Sequence, residues 1–149
     1  LESRAFESVT VMVQKEVAQR ICAPAGRSEY GAFSVFCQYY AQPQLLFDVP
    51  PSCFIPQPKV TSAVLRLDVR TAPPCAVTDE KLFFRVVKAA FAQRRKTLLN
   101  ALSAGFSELS KPELAAILTQ CGLAPAVRGE TLDIPAFAAL ANILAERLG

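Results

Sequence analysis

No histidine occurs anywhere in the 149 residues. Imidazole acid–base chemistry and Ser–His or Cys–His triads are therefore excluded within this chain. The five cysteines, Cys22, Cys37, Cys53, Cys75 and Cys121, never form a C-x-x-C pair, and their number is odd. With no histidine to join them, neither a zinc site nor a disulfide framework is expected, and no metal ligand is assigned. That thiol usage fits a reducing cytoplasm. No apolar run reaches the ~18 residues of a membrane helix, so no membrane association is expected. No basic-then-apolar opening suggests a secretory leader. The chain opens with Leu1 and not Met, so a piece of a longer protein is expected.

The chain is 52% hydrophobic and 19% charged, which places it among folded, globular proteins. Its length suits one good-sized domain, or a partial domain plus a small one. The net charge of +3 is modest but unevenly placed. From Lys81 to Phe106 there are six cations, Lys81, Arg85, Lys88, Arg94, Arg95 and Lys96, and no acid. That local excess says more about partners than the total does.

Two kinds of periodicity divide the chain. Val9–Val13 is β-branched and reads as a strand, and Leu45–Val49 and Ala63–Val69 as two more; in the last, Ala63, Leu65, Leu67 and Val69 alternate with polar residues. "QKEVAQRICA" predicts a helix stopped by Pro24 and Gly26. Ser28 is placed to cap a second helix over about Tyr30–Tyr40, with Phe33, Phe36, Cys37 and Tyr40 on one face. After Thr71-Ala72-Pro73-Pro74 everything looks helical, so a boundary is placed there, giving regions 1–72 and 73–149. Thr78 is expected to cap a helix beginning Asp79-Glu80. Ser110 and Pro112 open another, closed by Gly122, and Asp133 and Pro135 open the last.

Three features carry chemistry. The first is the loop from Pro50 to Val60, which holds "FIPQPKV". Prolines stiffen it and force extended geometry on their predecessors. Phe54 in its middle is either a core anchor or a flat platform for a ligand. The second is the basic stretch. If Asp79–Ala104 is one helix, Phe83, Val87, Phe91 and Leu98 share a broad apolar face. Lys81, Arg85, Lys88, Arg95 and Lys96 then collect on an opposite arc of roughly 100°. This is either an ordinary solvated face or a phosphate-binding one. The third is Arg94, which would fall inside the apolar arc. Burying a bare guanidinium is costly, so either the helix breaks near Gln93 or Arg94 reaches a specific partner.

Five stretches, "VMVQKEVAQRI", "YGAFSVFCQYY", "VPPSCFIPQPKVTSAVLRL", "AAFAQRRKTLLNAL" and "RGETLDIPAF", together resemble the C-terminal half of the small-subunit ribosomal RNA adenine N6-dimethyltransferases. They occur in the family's order from about Val9 to Leu148. The resemblance implies an α/β part plus an all-α part. Residues 1–72 would be the C-terminal remnant of a Rossmann-like S-adenosylmethionine methyltransferase sheet. Its three strands would lie side by side, the last inserted antiparallel between the other two. Residues 73–149 would be a small helical domain that binds rRNA.

The resemblance also implies a reaction. A methyl group passes from S-adenosylmethionine to the exocyclic N6 amine of adenine, twice per base, on adjacent adenines of 16S rRNA during ribosome assembly. The base must be extruded and held. Phe54 matches the aromatic that stacks on it. Lys59 is read as a phosphate neighbour and not a catalyst, Arg94, Arg95 and Lys96 match the family's basic rRNA-contacting motif, and Arg85 and Lys88 of the cationic arc are added as RNA-binding residues.

The family's cofactor site needs a glycine-rich turn, a ribose-binding acid and an Asn-Leu-Pro-Tyr motif. No two of the six glycines are spaced G-x-G, and Asn100 and Asn142 are followed by Ala101 and Ile143. The chain is therefore expected to bind no S-adenosylmethionine and to turn over nothing alone. The full-length protein would be a monomer, but in this chain strand Val9–Val13 would keep a bare edge able to pair with another chain. Two alternatives remain: a non-catalytic module that only docks on the small subunit, and the macrolide-resistance methyltransferases that act on 23S rRNA and share the proline loop.

Overall fold

The computed structural model describes residues 6–149. These form two compact units. The first holds the described residues up to Pro24 together with Glu29–Pro73, and the second holds Ala25–Ser28 with Pro74–Gly149.

The first unit is a three-stranded sheet with two helices. Its elements are β1 (Ser8–Gln14), α1 (Lys15–Cys22), α2 (Ala32–Tyr40), β2 (Ala41–Val49) and β3 (Ser62–Val69). The strand order is β1-β3-β2, with β3 antiparallel to both neighbours. The last strand thus lies in the middle, as the resemblance implies. Cross-strand partners Val9↔Leu67, Val11↔Leu65 and Val13↔Ala63 share one face. Against it pack Ala18 and Ile21 of α1 and Cys37 of α2, all buried. The alternation that marks β3 in the sequence has this cause: one face is covered by helices, and Arg66 on the other is exposed.

β2 begins at Ala41, directly after α2 and before the expected Leu45, and it runs through Pro43. An edge strand tolerates proline because no neighbour needs the missing N–H. A register shift between Leu45 and Phe47 turns Phe47 opposite Val64, which itself faces Met12 of β1. Phe47 and Met12 are both exposed.

α2 differs from its expected form. Its N-cap is Gly31, not Ser28, and the Gly31 N–H donates to Ser34 Oγ at 3.1 Å. Ser34 Oγ donates in turn to the Arg20 carbonyl, and Gln38 Nε2 donates to the carbonyls of Ile21 (2.9 Å) and Ala23 (2.8 Å). Side chains of α2 therefore satisfy the orphan carbonyls at the end of α1. The expected aromatic face is also revised. Cys37 and Tyr40 are buried and Phe36 is half-buried, but Phe33 is exposed, while Val35 and Tyr39 are buried instead.

The second unit is helical: α3 (Glu80–Ala92), α4 (Leu98–Gly105), α5 (Lys111–Gln120) and α6 (Ile134–Leu148). Each helix has a side-chain N-cap. Asp79 accepts from the Leu82 N–H (3.2 Å), Thr97 from Asn100 (3.3 Å), Ser110 from Glu113 (3.3 Å) and Asp133 from Ala136 (3.0 Å). Asp79 therefore takes the role expected of Thr78, whose N–H instead donates to Asn142 Oδ1. α5 ends as its sequence predicts, with Gly122 in the left-handed region (φ 75°). Phe83, Leu98, Leu102, Phe106, Ile117 and Phe137 are fully buried in this unit.

Candidate nucleic-acid interface

Phe54 lies on the connection between β2 and β3. Pro51–Cys53 forms a single 3₁₀ turn, closed by the Cys53 N–H on the Pro50 carbonyl (3.1 Å) and the Phe54 N–H on Pro51 (3.2 Å). Phe54 itself is extended (φ −118°, ψ 150°), and the Ile55–Pro56 bond is cis. The ring is half-buried. The residue is thus neither sealed in the core nor fully free. Ile55 beside it is completely exposed, and Lys59 farther along the loop is exposed too.

The basic stretch is not one helix. α3 stops at Ala92, residues 93–96 form a turn, and Thr97 caps α4. Leaving the helix frees Arg94 from the apolar face that continuous geometry would have forced on it. Arg94 also has partners. Its Nη2 donates to the carbonyl of Ser28, and its Nε lies 3.5 Å from Glu130 Oε2. Both resolutions offered by the sequence, a break and a partner, occur together.

Arg85 is engaged as well. Nη1 and Nη2 each reach an oxygen of Glu108 at 2.8 Å, and Nη2 also donates to the Gly105 carbonyl at 3.0 Å. Its guanidinium carbon sits 4.1 Å from the centre of the Phe106 ring, a cation–π contact. The hydrogen bonds from Arg85 hold the Glu108 carboxyl down at about 2, and Glu108 in turn raises the Arg85 pKa. Sequence reasoning missed Glu108 because it stands just beyond the acid-free stretch. It missed Glu130 too, although an arginine on an apolar arc demands an acid or carbonyl somewhere.

The remaining cations are different. Among the described residues, Lys59, Lys81, Lys88, Arg95 and Lys96 make no ion pair, and all are exposed. Lys81 and Lys88 are two turns apart on α3, hence on one side of it. Arg95 and Lys96 lie on the turn that follows. Exposed cations left without an internal partner are the kind of group to which phosphates are attracted.

The described strands lack the glycine-rich turn that the resemblance ties to S-adenosylmethionine. β1 runs straight into α1, β2 into the proline loop and β3 into Arg70–Pro73, so no strand is followed by a glycine turn. The two glycines with positive φ, Gly26 and Gly122, belong to the helical unit. No group of three or more Cys, Asp or Glu residues among the described residues could hold a metal ion. No described helix is long and apolar enough to cross a membrane.

A family model described as ribosomal RNA adenine dimethylase matches residues 1–146. The ribosomal RNA small subunit methyltransferase A of Alkaliphilus oremlandii (strain OhILAs) is 51% identical over 142 residues, covering 95% of this chain and 50% of that protein. The protein of the same name from Caldanaerobacter subterraneus subsp. tengcongensis is 50% identical over 145 residues, covering 97% of this chain and 53% of its own length. The chain thus spans about half the length of the curated relatives it matches. Among solved structures, a dimethyladenosine transferase from Plasmodium falciparum superposes with a TM-score of 0.79 at 21% identity, over 97% of this chain and 59% of that one. The 23S rRNA methyltransferase ErmE gives 0.66 at 18%, over 97% and 57%. At such identities the structural likeness speaks for the fold alone.

Proposed function

This chain belongs to the ribosomal RNA adenine dimethylase family, and from that premise we propose that it is the RNA-gripping part of an S-adenosylmethionine-dependent rRNA dimethyltransferase. The substrate is the N6 amine of adjacent adenines in 16S rRNA, within the small subunit during its assembly, in the cytoplasm. The first unit is the C-terminal remnant of a Rossmann-like methyltransferase sheet. The second is the rRNA-binding domain. S-adenosylmethionine would supply the methyl group from a site built by residues this chain does not contain.

Phe54 is the stacking platform for the extruded adenine. A half-buried residue supports that role better than a sealed one, because its ring could be held from behind and still offer a face. Lys59, Lys88, Arg95 and Lys96 contact phosphates. The observation that carries the reading is that these cations stay exposed and unpaired while Arg85 and Arg94, from the same stretch, find internal partners. Relatives named for the small subunit at about half identity support 16S over 23S rRNA.

The experiment is a binding titration of the chain against isolated small and large ribosomal subunits over a range of salt. Binding to small subunits that weakens steeply with salt is expected, with no methyl transfer from added S-adenosylmethionine. Equal affinity for large subunits, or salt-independent binding, would refute the proposal. The full-length protein is a monomer, whereas this chain pairs through the free edge of β1; sedimentation at rising concentration reads that directly, and a monomer throughout would remove the pairing.

A further inference from the structure

We infer that Arg94 is a positioning residue and not a phosphate contact: with Glu130 and the Ser28 carbonyl it anchors the turn that presents Arg95 and Lys96. The inference rests on the RNA-binding reading above and separates the three adjacent cations into one anchor and two contacts.

Arg94 Nη2 donates to the Ser28 carbonyl while its Nε faces Glu130 Oε2 at 3.5 Å. A planar guanidinium can serve both at once, because its donors point along a fixed fork. Glu130 is itself held. Its carbonyl accepts the Gly26 N–H at 2.8 Å, and its other carboxylate oxygen lies 4.0 Å from Arg128 Nη1. Next to it, Gly129 approaches α3 so closely that a Cβ there would lie 2.9 Å from the Ala90 Cβ. The far end of the turn is pinned to the same segment, since the Leu98 N–H donates to the Val127 carbonyl at 2.7 Å. The turn is therefore fastened at Arg94 and again at Leu98, and the two residues between that keep free charges are Arg95 and Lys96. An Arg94 engaged in this way has no reason to release a counterion when RNA binds.

Glu130 gives the test its sign. Removing its negative charge, in Glu130→Gln, should tighten RNA binding if only net charge matters. If the pair positions the turn, binding should weaken although the surface has become more positive. Arg94→Lys keeps the charge but loses the fork. A point-charge contact would survive that change, and an anchor would not.

The experiment uses the whole chain. Amide hydrogen exchange without RNA is followed at Lys96 and Leu98, and affinity for isolated small ribosomal subunits is measured across salt. Expected are faster exchange at those amides in both variants, unchanged exchange within α5, and weaker binding than the unaltered chain. The double variant should be no worse than the worse single one, because both remove the same contact. Unchanged exchange in both variants, or tighter binding by Glu130→Gln, overturns the inference. Faster exchange in a chain whose unaltered form binds no small subunits overturns the RNA reading, and the positioning role falls with it.

Discussion

Arg85 and Glu108 face each other across two parallel hydrogen bonds of 2.8 Å, one from each terminal guanidinium nitrogen to each carboxylate oxygen. The pair joins α3 to the segment after α4, and the Phe106 ring lies under the guanidinium. Both partners remain over two-fifths exposed. The pair is therefore open to salt screening, and its geometry, more than its burial, gives it value.

The pH dependence follows from this pair. The Glu108 carboxyl is lowered from 4.5 to about 2, chiefly by the Arg85 hydrogen bonds. A depressed carboxylate contributes stability that is present above its unfolded value and lost as pH falls through its folded one. Thermal melts of Glu108→Gln and the unaltered chain should therefore differ near neutral pH and converge between about pH 4.5 and 2. A gap that persists at the acid end would mean the ion pair is not its source.

The free and engaged cations should separate by salt dependence. Arg95→Ala and Lys96→Ala should each flatten the log affinity–log salt slope for small subunits by roughly 0.7–0.9. Arg85→Ala should leave that slope alone and lower the melting temperature. Equal slope losses in all three variants would show that Arg85 also reaches RNA.

Phe54 can be tested with an RNA carrying one unpaired adenine. Stacking on a side chain is worth about 1–3 kcal/mol per base, so Phe54→Ala should weaken this RNA by at least severalfold, and Phe54→Trp should preserve binding. An RNA lacking the adenine should not distinguish the variants. If Phe54→Ala binds both RNAs normally, the chain only docks, and the platform assignment fails.

Thiol reactivity offers a check on the first unit. Burial pushes the Cys37 thiol up to about 11, and only 4% of the residue is exposed. Cys53, beside Phe54, is exposed. Mass spectrometry after brief maleimide treatment at neutral pH should find Cys53 labelled and Cys37 spared. Early labelling of Cys37 would mean that the α1–α2–sheet core opens readily. A label on Cys53 should also impair binding of the unpaired-adenine RNA.

Much of this fold is legible in the sequence because it is encoded locally. The caps at Ser110 and Asp133 and the left-handed Gly122 each depend on neighbours within a turn. The alternation of β3 reads its covered face directly. Local signals misled where two candidates stood side by side, as with Thr78 and Asp79, and where the helix began later than its nearest polar cap, as with Gly31 in place of Ser28. The cations of the basic stretch were legible in residue type, but which of them pair internally was not. "QRRKT" announces a basic surface but does not say that its first arginine meets the Ser28 carbonyl and Glu130.

The sequence alone determined the three strands, the caps at Ser110 and Asp133, the left-handed Gly122 and the family, since each is written in spacings of a few residues or in ordered motifs. Only the tertiary structure decided which charges are free. Arg85 finds its acid 23 positions away, and Arg94 finds its carbonyl acceptor 66 positions away. Such pairings exist only after the chain has folded, because a charge is neutralised by what is near in space and carries no local mark of that partner.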